Sequence, residues 1–98
     1  MKKKQSASKA RPVLVCTEYR GVFFGYATKT DGDVIQLKDA RNIPYWSSDV
    51  KGFLGLANTG PSKNCRVGPR ADIELRKVTC VVEVTEAARA AWEASPWA

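Results

Sequence analysis

The stretch Ala40-Arg41-Asn42-Ile43-Pro44-Tyr45-Trp46 places a guanidinium, a carboxamide and two aromatic rings within seven residues. Arg41 and Asn42 are the kind of pair that forks onto a carboxylate, a phosphate or a base edge, and Tyr45 and Trp46 supply flat apolar surface beside them. A second group, Arg66 and Arg70, flanks Val67-Gly68-Pro69, where Gly68 would admit a ligand close to backbone, and Arg76-Lys77 follows on the next run. The chemistry open to Arg41, Asn42, Tyr45, Trp46, Arg66 and Arg70 is recognition of an anionic ligand or a partner surface. Each group also has a plainer reading. Pro44 cannot donate to a β-ladder, so Ile43-Pro44 marks an exit from a sheet and the two aromatics pack at the entrance of a helix. Asp72 and Glu74 can neutralise the later cations as a solvated rim. Packing of this kind accounts for Tyr45 and Trp46 but leaves Arg41 and Asn42 unexplained.

Catalytic chemistry finds little support. The chain has no histidine, which removes Ser-His-Asp and Cys-His arrangements and leaves any cysteine nucleophile without its usual base. Cys16, Cys65 and Cys80 are odd in number, far apart and form no C-x-x-C pair, so buried reduced thiols are expected, with no zinc site and no disulfide framework. Asp31-Gly32-Asp33 lacks the third carboxylate and closing glutamate of a calcium loop. Neither glycine-rich phosphate motif is present. Asp39 with Asp49 is a carboxylate pair that could in principle do acid-base work, but nothing in the sequence around them points to it. No enzyme, cofactor or metal is expected.

The net charge of +6 is concentrated at one end. Lys2, Lys3, Lys4, Lys9 and Arg11 stand in residues 1–11 with no acid, so all but one unit of the charge lies there. Residues 1–11 therefore read as a disordered basic tail, either a solubilising leader or a salt-sensitive arm for phosphate backbones. The lysines lead into a polar stretch, so no signal peptide is expected, and no apolar run nears the roughly 20 residues that span a bilayer. A cytoplasmic protein follows from both.

Residues 12–98 read as a single α+β domain. Val13–Tyr19 is apolar on both faces, as a strand flanked on either side would be. Arg20-Gly21 turns it into Val22–Lys29, and Asp31-Gly32 is a strong hairpin signal before Val34–Ala40. The period then changes. Ser47 or Ser48 can cap a helix whose first turn holds Asp49 and whose buried stripe is Val50, Phe53, Leu54 and Ala57. Gly52 and Gly55 weaken that helix unless they allow close approach to a sheet or a second subunit. Asn64–Gly68 is a short candidate strand, and Ile73–Val84 is one long strand or two bent near Lys77. Thr85 caps a last helix with Ala88, Ala91 and Trp92 on one stripe. The order βββαββα predicts a mainly β, α+β fold, a small strongly bent antiparallel sheet or partly open barrel with two short helices.

Two nucleic-acid motifs are weak. Arg20-Gly21-Val22-Phe23-Phe24-Gly25-Tyr26 begins like an RRM strand, yet Val22, Phe23 and Gly25 break its pattern, and Phe23 and Phe24 cannot share one face. Gly52-Phe53-Leu54-Gly55 has KH-loop spacing but apolar content. A basic nucleic-acid-binding module nonetheless remains the alternative to a protein or anion binder.

Taken together, RGVFFGY, DARNIPYW, VKGFLGLANTGPSKNCRVGP, IELRKVTCVVEVT and AARAAWEASPW resemble a family of small proteins of tailed bacteriophages and prophages, grouped as a domain of unknown function. The resemblance spans nearly all of the chain after Pro12 and brings no site residues with it. It implies a phage accessory protein in the host cytoplasm that binds and blocks a host factor or an anionic signal molecule, countering host defence. Chain length suggests a homo-oligomer.

Overall fold

The computed structural model describes residues 10–18 and 21–95. Lys2, Lys3, Lys4 and Lys9 of the basic tail, Tyr19, and the Arg20 half of the expected Arg20-Gly21 turn lie outside the described residues. Five strands, β1 (Arg11–Thr17), β2 (Val22–Ala27), β3 (Val34–Asn42), β4 (Ala71–Arg76) and β5 (Val78–Glu83), make one antiparallel sheet in the order β4-β3-β2-β1-β5. β1 is paired on both sides, and both of its faces are apolar because Val13 and Val15 line one core and Leu14 the other. Arg11, counted with the tail on sequence, is the first residue of β1, opposite Ala27, with its guanidinium on Glu83 and Thr30.

The order of the strands forces the sheet to bend. β4 and β5 are its two edges, yet Lys77 alone separates them in the chain. In a flat sheet these edges would stand about 19 Å apart, whereas one linking residue spans only about 7 Å. The sheet therefore curls until its edges approach, without closing. Lys77 takes the left-handed conformation (φ 58°) at this corner, where its carbonyl accepts from Glu18 N–H at 3.0 Å and Val78 N–H donates to the Asp33 carbonyl at 3.0 Å.

Each face of the curled sheet has its own core. Val13, Val15, Ala27, Ile35, Leu37, Ala40 and Leu75 form one cluster drawn entirely from strands, so folding of the sheet over itself supplies their burial. On the other face Leu14, Val22, Phe24 and Ile43 meet the helices through Leu56, Ala57, Ala88 and Trp92. Helix α1 spans Gly52–Asn58 and α2 spans Glu86–Ala94. Thr85 caps α2 through its hydroxyl, which accepts from Ala88 N–H at 3.1 Å. Trp92 stacks on Phe24 with centroids 5.1 Å apart and donates its indole N–H to the Leu56 carbonyl at 3.1 Å. Such a stacked pair adds roughly 0.5–1.5 kcal/mol beyond area burial.

Two local expectations change. The first helix divides into a 3-10 turn, Ser48–Val50, and α1, because Lys51 (φ 65°) and Gly52 (φ 79°) take left-handed conformations between them. That break rotates α1 relative to Val50. Leu56 and Ala57 face inward, while Phe53 and Leu54, placed on the buried stripe by periodicity, are 37% and 60% exposed. Within the described chain neither glycine meets a strand: Gly52 serves the left-handed backbone, and a Cβ on Gly55 would strike the Val50 carbonyl at 1.6 Å. The candidate strand Asn64–Gly68 shrinks to a single bridge between Arg66 and Tyr45, followed by Pro69, which has no N–H to extend it. The count βββαββα survives because Ile73–Val84 divides at Lys77 instead.

Candidate functional site

Arg41, Asn42, Tyr45, Trp46, Arg66 and Arg70 all belong to the end of β3 and the long connection from β3 to β4. That connection leaves the sheet at Asn42, crosses to the helices and returns alongside itself. Gly68 N–H donates to the Asn42 carbonyl at 2.9 Å, and Arg66 N–H donates to the Tyr45 carbonyl at 2.9 Å. A side-chain knot ties the same two stretches together further out. Ser47 donates to Asp49, its hydroxyl lies 3.4 Å from that of Ser62, and Asn64 donates its amide to Asp49 at 3.3 Å. Hydrogen bonds from Ser47, Ser62 and Asn64 hold the Asp49 carboxyl below its ordinary range, so it is an anion committed to the loop. Cys65 joins the knot 3.7 Å from the Ser62 hydroxyl.

Arg41 is turned inward and is only 2% exposed. Its Nε donates to the Gly68 carbonyl at 2.7 Å, and its Nη1 donates to the carbonyls of Trp92 at 2.7 Å and Ser95 at 2.8 Å. Trp92 and Ser95 close the last turn of α2, where unpaired carbonyls carry the negative end of the helix dipole and a buried cation is favoured. Arg41 is thus the residue that joins β3, the returning loop and α2. Burial, with the Arg70 charge nearby, lowers its pKa from the ordinary arginine value without threatening its charge at neutral pH.

Arg70 is also engaged. Its Nη2 donates to the Glu93 carboxylate at 2.7 Å and to the Glu93 carbonyl at 3.0 Å. The Tyr26 hydroxyl completes this group by donating to the other Glu93 oxygen at 2.5 Å. Together the Tyr26 and Arg70 hydrogen bonds hold the Glu93 carboxyl below the usual glutamate range.

Asn42 is exposed, and its side-chain oxygen occupies the space beside Gly68, where a Cβ would lie 2.1 Å from it. The room that Gly68 was expected to keep for a ligand is filled from within. Asn42 also edges an open cleft of about 300 Å³ whose walls are Val22, Phe23, Ile43, Pro44 and Trp46. Trp46 is partly buried against the helix-side core, so its outer part is what the cleft presents. Phe24 is wholly buried and Phe23 packs on the strand-only core, which removes the pair of exposed sheet aromatics that RNA-binding strands use.

Tyr45 and Arg66 remain free. Tyr45 is 53% exposed and Arg66 lies beside it across the bridge. Among the described residues, Lys29, Lys51, Lys63 and Arg66 enter no ion pair and Arg41 is held by carbonyls alone, whereas Arg11, Lys38, Arg70, Arg76, Lys77 and Arg89 each have a carboxylate. Lys29 stands in the β2–β3 turn, and Lys51, Lys63 and Arg66 share the β3–β4 connection with Tyr45 and with the outward side chains Phe53 and Leu54. The six candidates do not form one constellation: Asn42 and Trp46 meet at the cleft, Tyr45 and Arg66 stand on the open surface, and Arg41 and Arg70 serve α2. The sequence reading missed Lys51, Lys63, Phe53 and Leu54; the left-handed break that exposes the last two has Gly52 as its sequence signal.

The model of the family described as Domain of unknown function (DUF6948) matches residues 10–92. The chain belongs to that family. No curated protein and no solved structure matches. The matched span of the DUF6948 family takes in all five strands, the whole β3–β4 connection and α2 as far as Trp92, so the surface lies within the family's own domain.

Proposed function

We propose that the protein is a non-enzymatic accessory protein of a tailed phage or prophage, which binds a host factor or an anionic signal molecule in the host cytoplasm and blocks it. The observation that carries this reading is the β3–β4 connection. It carries Lys51, Lys63 and Arg66, without carboxylate partners among the described residues, together with the exposed apolar side chains Tyr45, Phe53 and Leu54, and the Tyr45–Arg66 bridge sets one of these cations beside an aromatic ring. Cations elsewhere in the domain that are paired contribute little net field, whereas an unmatched group attracts an acidic or phosphorylated partner. The exposed aromatic and aliphatic side chains of the same connection supply area to bury. Asp49, Asp72, Glu74, Glu86 and Glu93 are held below their ordinary pKa values by hydrogen bonds, so these carboxylates are engaged within the fold.

The test is recovery of bound proteins and small molecules from host cells, compared between wild type and a Tyr45→Ala, Arg66→Glu variant. Wild type yields a partner, or an anion released on denaturation, that the variant loses while its melting temperature stays unchanged. Equal recovery by both proteins overturns the assignment of the surface. Single-stranded DNA added to the same proteins separates the nucleic-acid alternative: affinity that falls steeply with salt and with deletion of residues 2–11 would establish it, and no binding at low salt would dismiss it.

A further inference from the structure

We propose that Cys16 and Cys80 constitute a dithiol site that a peroxide converts into an intramolecular disulfide, tying the edge strand β5 to β1. The two residues stand directly opposite each other in the antiparallel ladder between these strands. Opposed residues in such a ladder have Cα atoms about 4.5–5.5 Å apart, inside the roughly 4.4–6.8 Å range that a disulfide bridges. Both side chains are partly exposed, so neither sulfur is sealed from a small oxidant. The ladder shifts register just beyond the pair, between Cys16 and Thr17, and strands at such irregularities are less firmly fixed than in a regular ladder.

Cys65 is set apart from this pair, since its sulfur contacts the hydroxyls of Ser47 and Ser62 in the β3–β4 connection. Burial and the neighbouring Cys80 push the Cys16 thiol up to about 12. Because the two residues stand opposite each other, either sulfur can meet the oxidant first. Its attack breaks the O–O bond of the peroxide and forms a sulfenic acid with release of one water. The other sulfur of the pair then displaces the sulfenic hydroxyl as a second water. Two S–H bonds are lost, one S–S bond forms, and the peroxide takes up the two electrons.

The experiment treats the folded full-length protein with hydrogen peroxide, alkylates the remaining thiols and maps the unreduced digest by mass spectrometry. The expected result is one alkylated cysteine, Cys65, and a cross-linked peptide pair holding Cys16 and Cys80. C65S forms the same cross-link, C16S and C80S do not, and the oxidised wild type melts above the reduced protein because β5 is pinned. Three alkylated cysteines after peroxide, cross-links that contain Cys65, or an oxidised protein that melts below the reduced one would each overturn the proposal.

Discussion

Replacing Arg41 by methionine tests whether this residue holds the domain together or contacts a partner. Methionine keeps much of the apolar stem and removes all three hydrogen bonds to Gly68, Trp92 and Ser95. The Trp92 carbonyl retains the Ser95 N–H at 3.4 Å, so the Gly68 and Ser95 carbonyls lose their only hydrogen bonds to described residues. At roughly 1–3 kcal/mol for each buried acceptor left unpaired, and with Ser95 within reach of water, the loss is about 3 kcal/mol. The cost of dehydrating the buried guanidinium works in the opposite sense and keeps the figure from rising further. For a chain of this size about 3 kcal/mol lowers the melting temperature by ~12–24 °C. Lysine at the same position keeps the charge but lacks the planar fork, and should fall between wild type and R41M. Circular dichroism melts of the three proteins decide the matter. An R41M protein that melts with wild type, yet no longer recovers the partner, would refute the architectural role.

Acid should weaken the fold through Glu93 among other carboxylates. Its folded pKa lies below the ordinary 4.5, so its contribution is complete above about pH 4.5 and is lost as pH falls through the folded value. Melting temperatures measured from neutral pH downward should therefore drop for wild type, and drop less steeply below pH 4.5 for E93Q; parallel curves would show that Glu93 is not linked. Charge placed on the outward face of α1, as F53D with L54D, should abolish self-association if a second copy covers that face, leaving the melting temperature within a few degrees because both side chains already meet water. Sedimentation of the two proteins reads this directly, and a wild-type monomer at high concentration would reject a homo-oligomer.

The strands were legible because each has a strong local signature. Alternation in Val34–Ala40, the two apolar faces of Val13–Thr17 and the Asp31-Gly32 turn all act within a few residues, and the sheet obeys them. The bend at Lys77 could be read too, though not its consequence, since only the strand order shows that one residue ties the two edges together. Periodicity failed at Val50–Ala57 because it presumes one unbroken helix, and two successive left-handed residues cancel that presumption. Arg41 and Asn42 illustrate a different limit. A buried arginine bound to carbonyls and a surface arginine waiting for a carboxylate are identical in sequence. What separates them is the end of a helix that begins 45 residues later, Arg41 to Glu86, and no local pattern can report it.

Where the exposed cations and aromatics fall follows from how the fold uses its two sheet faces. The curl encloses one face and the helices cover the other, so the strands have no broad apolar face left to present to a partner. Edge strand β4 is balanced locally, as Lys38 with Asp72 and Arg76 with Glu74 show, while Lys29 in the β2–β3 turn has no carboxylate among the described residues. The β3–β4 connection is the segment freed from both duties. It is anchored by main-chain bonds to β3 and by the serine–aspartate knot, and Asp49, which would otherwise neutralise its cations, is held by that knot. Anchoring at many points makes the loop a fixed surface, and a fixed surface loses less entropy on binding than a loose one. For that reason the knot should matter to recognition as much as the exposed residues do: Asp49→Ala would both release the loop and remove a negative charge, and these effects act on partner affinity in opposite directions.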